Sequence, residues 1–186
     1  MRWIIILSVV EKPLEVLVGE LLRRRGLRLA VAESCTGGLI GHRITNIPGS
    51  STYYVGSVTA YAYEAKVRLL GISWGTLERY GAVSQETALE MARGVRLALA
   101  ADVGLSVTGI AGPGGGMPEK PVGLVWIGLS STSTREHSVV TEAIEVQSGY
   151  EKAWSYLWKG DRLQIKEQSA EQALRLLVNY LSDENV

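Results

Sequence analysis

The sequence has one cysteine, two histidines, no net charge and no apolar run long enough to span a membrane, and each shortage closes off a class of function. Cys35 alone cannot form an internal disulfide, which fits a reducing cytoplasm and excludes a stapled secreted fold. His42, His137 and Cys35, with no carboxylate cluster at ligand spacing, leave nothing to hold a resident metal, so no cofactor is expected. Nineteen basic residues balance nineteen acidic ones without clustering, so nucleic acid is not an expected partner. The one basic run of three, Arg23-Arg24-Arg25, falls at a helix end, where cations complement the dipole. Met1 to Val10 is apolar but far short of the roughly 18 residues a spanning helix needs. Glu11-Lys12-Pro13 closes that stretch without a small-residue cleavage site, so it reads as an edge strand or an extension rather than a signal peptide. The glycine-rich stretch Gly109–Gly116 lacks the Gly-Lys-Ser/Thr ending of a P-loop and the spacing of a dinucleotide fingerprint.

What is present suits one globular α/β domain over residues 1–186, with 1–12 as an N-terminal extension: 46% of residues are hydrophobic and 20% charged. Pro13 opens a helix whose Leu14, Val18, Leu21 and Leu22 recur at helical spacing until Gly26 stops it. Leu27 to Ala32 reads as a buried strand, Glu33 to Gly38 as a polar turn, and Leu39 to Ile44 as a helix closed by Asn46 and Pro48. Tyr53 to Ala60 is a strand, Ala62 to Leu70 a helix stopped by Gly71, and Ser73 to Tyr80 a second short helix. Ser84 caps a longer helix with the stripe Ala88, Leu89, Ala92, Val95, Ala98 and Leu99. Val103–Thr108 and Val122–Leu129 are strands around the glycine loop, and a third β-rich stretch covers about His137 to Val146. Tyr150 to Lys159 fits neither pattern cleanly, and Ala170, Ala173, Leu174, Leu177, Tyr180 and Leu181 give a final helical stripe. Strands alternating with helices predict a three-layer α/β/α sandwich, and two strands without an intervening helix predict a mixed β-sheet.

Ser34 follows a buried strand and opens a helix, where free N–H groups and the positive dipole end converge. Those groups suit a phosphate or the oxyanion of an attacked amide; alternatively, Ser34 or Thr36 merely caps the helix. His42, eight residues further along that helix, is roughly 12 Å away and cannot act as the base for Ser34. Lys66 is a better candidate. At 100° per residue, Glu64 and Arg68 share the solvent face, while Lys66 points inward with Ala62, Leu69 and Leu70. Desolvation there would lower its pKa and free a neutral amine to act as a base, unless the side chain snorkels to water. Tyr61 adds a phenol beside it.

Taken together, these segments resemble the C-terminal domain of the competence/damage-inducible CinA family, which also occurs alone as nicotinamide mononucleotide deamidase. The matching motifs are AESCTGG (Ala32–Gly38), PGSS (Pro48–Ser51), YAYEAK (Tyr61–Lys66), GAVS (Gly81–Ser84), GIAGPGGG (Gly109–Gly116), EKPVG (Glu119–Gly123) and GDR (Gly160–Arg162). The resemblance implies a cytoplasmic, metal-independent amidohydrolase, commonly dimeric, that converts nicotinamide mononucleotide to nicotinate mononucleotide and ammonia as part of NAD recycling. It assigns the catalytic serine to Ser34, the lysine to Lys66 and the tyrosine to Tyr61. Thr36, Gly37, Gly38, Ser51, Gly112, Gly114, Gly115 and Arg162 would surround the pyridine nucleotide, with Arg162 on its phosphate. The implied route is an acyl-enzyme: Lys66 takes the Ser34 proton, Tyr61 relays a proton to ammonia, and amides at the helix start hold the oxyanion. The chain departs from the family pattern in three places. Tyr63 replaces an asparagine, residues Ser148 to Trp158 read as an insertion, and Lys166 stands four positions after the GDR arginine. Tyr63 is the feature that would suit an alternative, a catalytically silent nucleotide-binding or regulatory domain. A further alternative is an amidase for another carboxamide-bearing nucleotide.

Overall fold

A computed structural model describes residues 12–132 and 149–183. Met1–Val10 and the β-rich stretch around His137–Val146 lie outside the described residues. In chain order the elements are α1 (Leu14–Arg25), β1 (Leu29–Glu33), α2 (Leu39–Thr45), a 3₁₀ turn (Ser50–Thr52), β2 (Tyr54–Thr59), α3 (Tyr63–Leu70), α4 (Trp74–Tyr80), α5 (Gln85–Ala98), β3 (Val103–Gly109), β4 (Leu124–Ser131), β5 (Glu151–Leu157) and α6 (Arg162–Ser182). The stop signals act as expected. Gly26 and Gly71 both take the left-handed conformation that closes α1 and α3, at φ 65° and 67°. Ser84 caps α5 through Thr87 N–H.

The sheet order is β2-β1-β3-β4-β5, with β1, β2 and β3 parallel and β4 and β5 antiparallel to their neighbours. It is therefore the mixed sheet of an α/β/α sandwich. The period-two alternation of each strand divides the core. Leu29 and Val31 of β1, with Leu105 and Val107 of β3, pack against α1, α2 and α6. Ala30 and Ala32 face α3, α4 and α5, where Leu70, Leu77, Met91 and Val95 cover them. On that side the layers approach closely: a Cβ on Gly104 would lie 2.0 Å from the carbonyl oxygen of Ala92 in α5. Likewise, a Cβ on Gly94 would lie 1.9 Å from Leu70 O, so glycine is what lets α3 settle against α5.

Two expectations change. The α5 stripe is carried by Thr87, Ala88, Met91, Ala92 and Val95, while Ala98 is exposed, because the face turned to the sheet begins one residue before the one counted from the sequence. The segment read as an insertion before Gly160 is mostly β5, which pairs with β4 from Leu124↔Leu157 to Ser130↔Glu151. Its Trp154 and Tyr156 pack at strand spacing toward the α6 side, and Trp158 continues the row, stacked on Tyr156 at 5.0 Å.

Candidate active site

The alternation of β1 assigns the residues that follow to opposite faces of the sheet. Glu33 continues the Leu29 and Val31 face and turns toward α2; Ser34 continues the Ala30 and Ala32 face and turns toward α3. Glu33 is fully buried, and its carboxylate accepts the N–H groups of Gly38 (2.9 Å), Ile40 (3.2 Å) and Gly41 (2.9 Å). Three charge-assisted bonds at the positive end of a helix suffice to hold a carboxylate there. This overturns the capping reading of the turn and takes up several of the amides expected for an oxyanion or a phosphate. Neither Ser34 nor Thr36 caps α2, whose N-cap Gly38 has no side-chain bond. Four of the amides around the start of α2 are already engaged: Gly38, Ile40 and Gly41 N–H bind Glu33, and Gly37 N–H donates to Ser34 O at 3.2 Å. Thr36 is wholly buried, and its hydroxyl has no hydrogen-bond partner.

On the other face, Lys66 is 1% exposed and its Nζ lies 3.0 Å from Ser34 Oγ. The same nitrogen donates to the carbonyls of Ala60 (2.7 Å) and Tyr61 (3.2 Å), folding back over the turn between β2 and α3. Burial pushes the Lys66 ammonium down to about 8, opposed in part by the neighbouring Cys35 sulfur. Leu70 shares the inward face, but Leu69 is 52% exposed and Ala62 is exposed, so that face of α3 is narrower than a helical count suggests. Cys35 is buried next to Ser34, and desolvation pushes its thiol up to about 12, so it remains protonated and inert at neutral pH.

Ser34, Cys35 and Lys66 open into a cavity of about 160 Å³. Its far wall comes from Thr108 and Gly109 at the carboxyl end of β3, with Ala111, and from Ala82 and Val83 ahead of α5. Tyr61 and Arg162 form the rim. Arg162 is the first residue of α6, whose start is fixed by a reciprocal cap between Asp161 and Gln164. With Asp161 occupied in that cap, the guanidinium reaches across the mouth instead. It donates to Gly112 O at 2.6 Å and to the Tyr61 hydroxyl at 3.1 Å. Tyr61 thus meets Lys66 through its backbone carbonyl, while its phenol, in a side chain 65% exposed, faces Arg162.

The remaining candidates disperse. Ser51 lies in the 3₁₀ turn before β2, whose first residue pairs with Leu29, at the end of β1 remote from Ser34. At about 3.3 Å per residue, that separates it from the cavity by roughly 13 Å or more, so it does not line the pocket of this chain. Of the loop glycines, Gly112 touches the site through its carbonyl, whereas Gly114 and Gly115 are exposed and do not line the cavity. Tyr63 does not fill the pocket either: its hydroxyl accepts Ala82 N–H at 3.2 Å, outside the lining. Lys166 approaches the Gly37 turn, its Nζ 3.6 Å from where a Cβ on Gly37 would stand. No group of three metal-ligating side chains occurs among the described residues, and no helix among them is long and apolar enough to cross a membrane. A wider cleft of about 490 Å³ between α3 and α5 has its polar groups already engaged, Glu90 with Ser73 and Thr76, and Arg93 with Glu151. Glu33 and Thr108 are the site residues that sequence reasoning missed.

Fold and site together define an α/β sandwich with a buried serine–lysine pair in a cleft at the carboxyl ends of its parallel strands. The family model described as the CinA C-terminal domain matches residues 11–181, and the chain belongs to that family. It is 47% identical over 172 residues to a CinA-like protein of Chloroherpeton thalassium, covering 92% of this chain and 38% of that one. The chain spans about a third of the length of the curated relatives it matches. Solved structures are similar over nearly their whole length. The competence/damage inducible protein CihA of Agrobacterium tumefaciens superposes with TM-score 0.77 at 34% identity, covering 92% of this chain and 98% of that one. A CinA superfamily protein of Enterobacter cloacae gives TM-score 0.81 at 29% identity, covering 97% and 100%.

Proposed function

We propose that this domain is an amidohydrolase that deamidates nicotinamide mononucleotide through Ser34 and Lys66. The observation that carries the reading is the set of partners around Lys66 Nζ. A neutral amine has two N–H donors and one lone pair. The Ala60 and Tyr61 carbonyls can only accept, so they take both N–H groups, and the lone pair is left for the Ser34 hydroxyl. An amine lowered to about 8 is neutral in about a fifth of molecules near physiological pH, against about one in a thousand for an ordinary lysine, and so can act as a base.

In the reaction, Lys66 takes the Ser34 proton as Oγ bonds to the carboxamide carbon. The resulting ammonium stands beside the tetrahedral oxyanion and stabilises it electrostatically. It then gives the proton to the departing nitrogen, which leaves as ammonia, and the C–N bond breaks to an acyl-serine ester. Water repeats the cycle: Lys66 takes its proton, hydroxide adds to the ester, and the proton returns to Ser34 Oγ as the acid leaves. Tyr61 serves this scheme through its carbonyl, which aims the base, and through its phenol, which holds Arg162. Arg162 has five N–H donors and two partners here, so its guanidinium can also take the substrate phosphate at the cavity mouth. From membership of the family alone, the reading also takes the enzyme to be metal-independent, cytoplasmic and dimeric. Incubating the purified protein with nicotinamide mononucleotide and measuring ammonia tests the proposal. Stoichiometric ammonia with nicotinate mononucleotide is expected; tight nucleotide binding without ammonia would instead identify a silent binding domain.

A further inference from the structure

Thr108 is the last core residue of β3 before the glycine loop, 1% exposed, and its side chain lines the cavity beside Ser34. The sheet register puts the two side by side. Glu33 pairs with Val107, and Ser34 N–H donates to Val107 O at 2.9 Å, so residues 34 and 108 are the next neighbours on the α3–α5 face. Thr108 Oγ1 lies 2.7 Å from Ala82 O. A carbonyl cannot donate, so the only hydroxyl proton of Thr108 belongs to that bond, and the oxygen offers the cavity lone pairs alone. Its counterpart two residues earlier, Ser106, gives its proton to Ala88 O in the same way, but it is sealed beneath α5 and does not reach the cavity. Among the other polar side chains at the cavity, Arg162 has N–H groups to spare and the Tyr61 hydroxyl, which accepts from Arg162, keeps its own proton, whereas Ser34 gives its proton to Lys66 and is the attacking atom rather than a fixed contact.

We propose that Thr108 Oγ1 is the specificity element that accepts an N–H of the substrate carboxamide and rejects the carboxylate of the product. A carboxamide –NH2 can satisfy an oxygen that only accepts. A carboxylate presents lone pairs to lone pairs, leaving both oxygens unpaired in a desolvated site. The same contact orients the carboxamide so that its nitrogen lies toward Thr108, and it disfavours the acid once the ester is hydrolysed. Ala82 O is thus part of the recognition apparatus, because it fixes the polarity of the hydroxyl.

This inference rests on the amidohydrolase reading, so its test separates the two by measuring binding without turnover. The Ser34→Ala protein is titrated calorimetrically with nicotinamide mononucleotide and with nicotinate mononucleotide at pH 9, where Lys66 is largely neutral and does not attract the acid. The amide is expected to bind more tightly. Adding Thr108→Val, which keeps the shape and removes the oxygen, should weaken the amide and strengthen the acid, lowering the amide-to-acid preference by about tenfold. Thr108→Ser should restore it. An unchanged preference in Thr108→Val, equal losses for both ligands, or no binding of either by the Ser34→Ala protein would overturn the proposal. A preserved preference in Ser34→Ala that Thr108→Val abolishes would uphold it even if the wild type released no ammonia.

Discussion

Replacing Lys66 by methionine should remove a pH dependence of stability that belongs to this one side chain. In the unfolded chain the lysine has its ordinary value of 10.5; in the folded protein burial lowers it to about 8. Between those values the unfolded state binds more protons than the native state, so native stability rises with pH across that window. Below about 8 the native protein carries the full cost of a buried ammonium, about 3 kcal/mol at about 1.4 kcal/mol per pH unit over the interval from about 8 to 10.5. Between pH 7 and pH 10 most of that cost disappears, a relative gain for the wild type of about 2 to 3 kcal/mol. For a domain of this size that corresponds to roughly 5 to 10 °C in Tm. Methionine has a similar length and no charge, but it leaves the Ala60 and Tyr61 carbonyls without a donor. The absolute difference at one pH therefore mixes two effects, whereas its change with pH isolates the lysine, since every other titrating group is common to both proteins. The assay is thermal unfolding of both proteins at half-unit steps from pH 7 to 10.5. Parallel curves would mean that Lys66 titrates like a surface lysine, and the neutral-base argument would lose its foundation.

With nicotinamide mononucleotide as substrate, kcat/KM should climb through about pH 8 and then level off, because the base must be neutral; an acidic optimum would contradict this. Ser34→Ala and Lys66→Ala should each remove most turnover, and the double variant should cost little more, since the pair acts as one unit; near-normal turnover in Ser34→Ala would refute the nucleophile. Glu33→Ala strips the acceptor from three amides at the start of α2 and should cost about 2 to 4 kcal/mol in urea unfolding, with an unchanged midpoint counting against the capping role. Arg162→Ala should raise KM for the mononucleotide about tenfold to a hundredfold and leave nicotinamide riboside nearly unaffected; an equal penalty on both would make its bonds to Gly112 and Tyr61 its whole purpose.

The features legible in the sequence were those that short-range periodicity controls. Counting 100° per residue placed Lys66 inside α3, and the stripe from Ala170 to Leu181 on α6 is buried at every predicted position. The same count misplaced Leu69, since a one-residue error spans most of the narrow buried face of an eight-residue helix. Glu33 was hidden for a different reason. Its alternation in β1 was readable, but its partners are amides five to eight residues later, and only the turn geometry brings them back to it. Thr108 could not be told from Ser106 by pattern, because both are hydroxyls on one face of β3; where α5 begins decides which of them meets the cavity. Along β5 and the residue after it the period of Trp154, Tyr156 and Trp158 was present, yet charged residues such as Glu151 and Lys152 obscured it. Ser51 shows the converse: a family-like motif marks that a segment is shared without saying that it reaches the site.

The mixed sheet separates what must stay fixed from what can be changed. All the cavity's chemistry lies at the carboxyl ends of β1, β2 and β3, whereas β4 ends at Ser131, which pairs with Val103 at the opposite end of β3, and β5 begins at Glu151, paired with Ser130. Seven residues of strand, about 20 Å, stand between those strand ends and Gly109. The ends of β4 and β5 at Ser131 and Glu151 are therefore natural anchor points for a fluorescent reporter, an affinity tag or a tether to a surface, with the serine–lysine pair at the other end of β3.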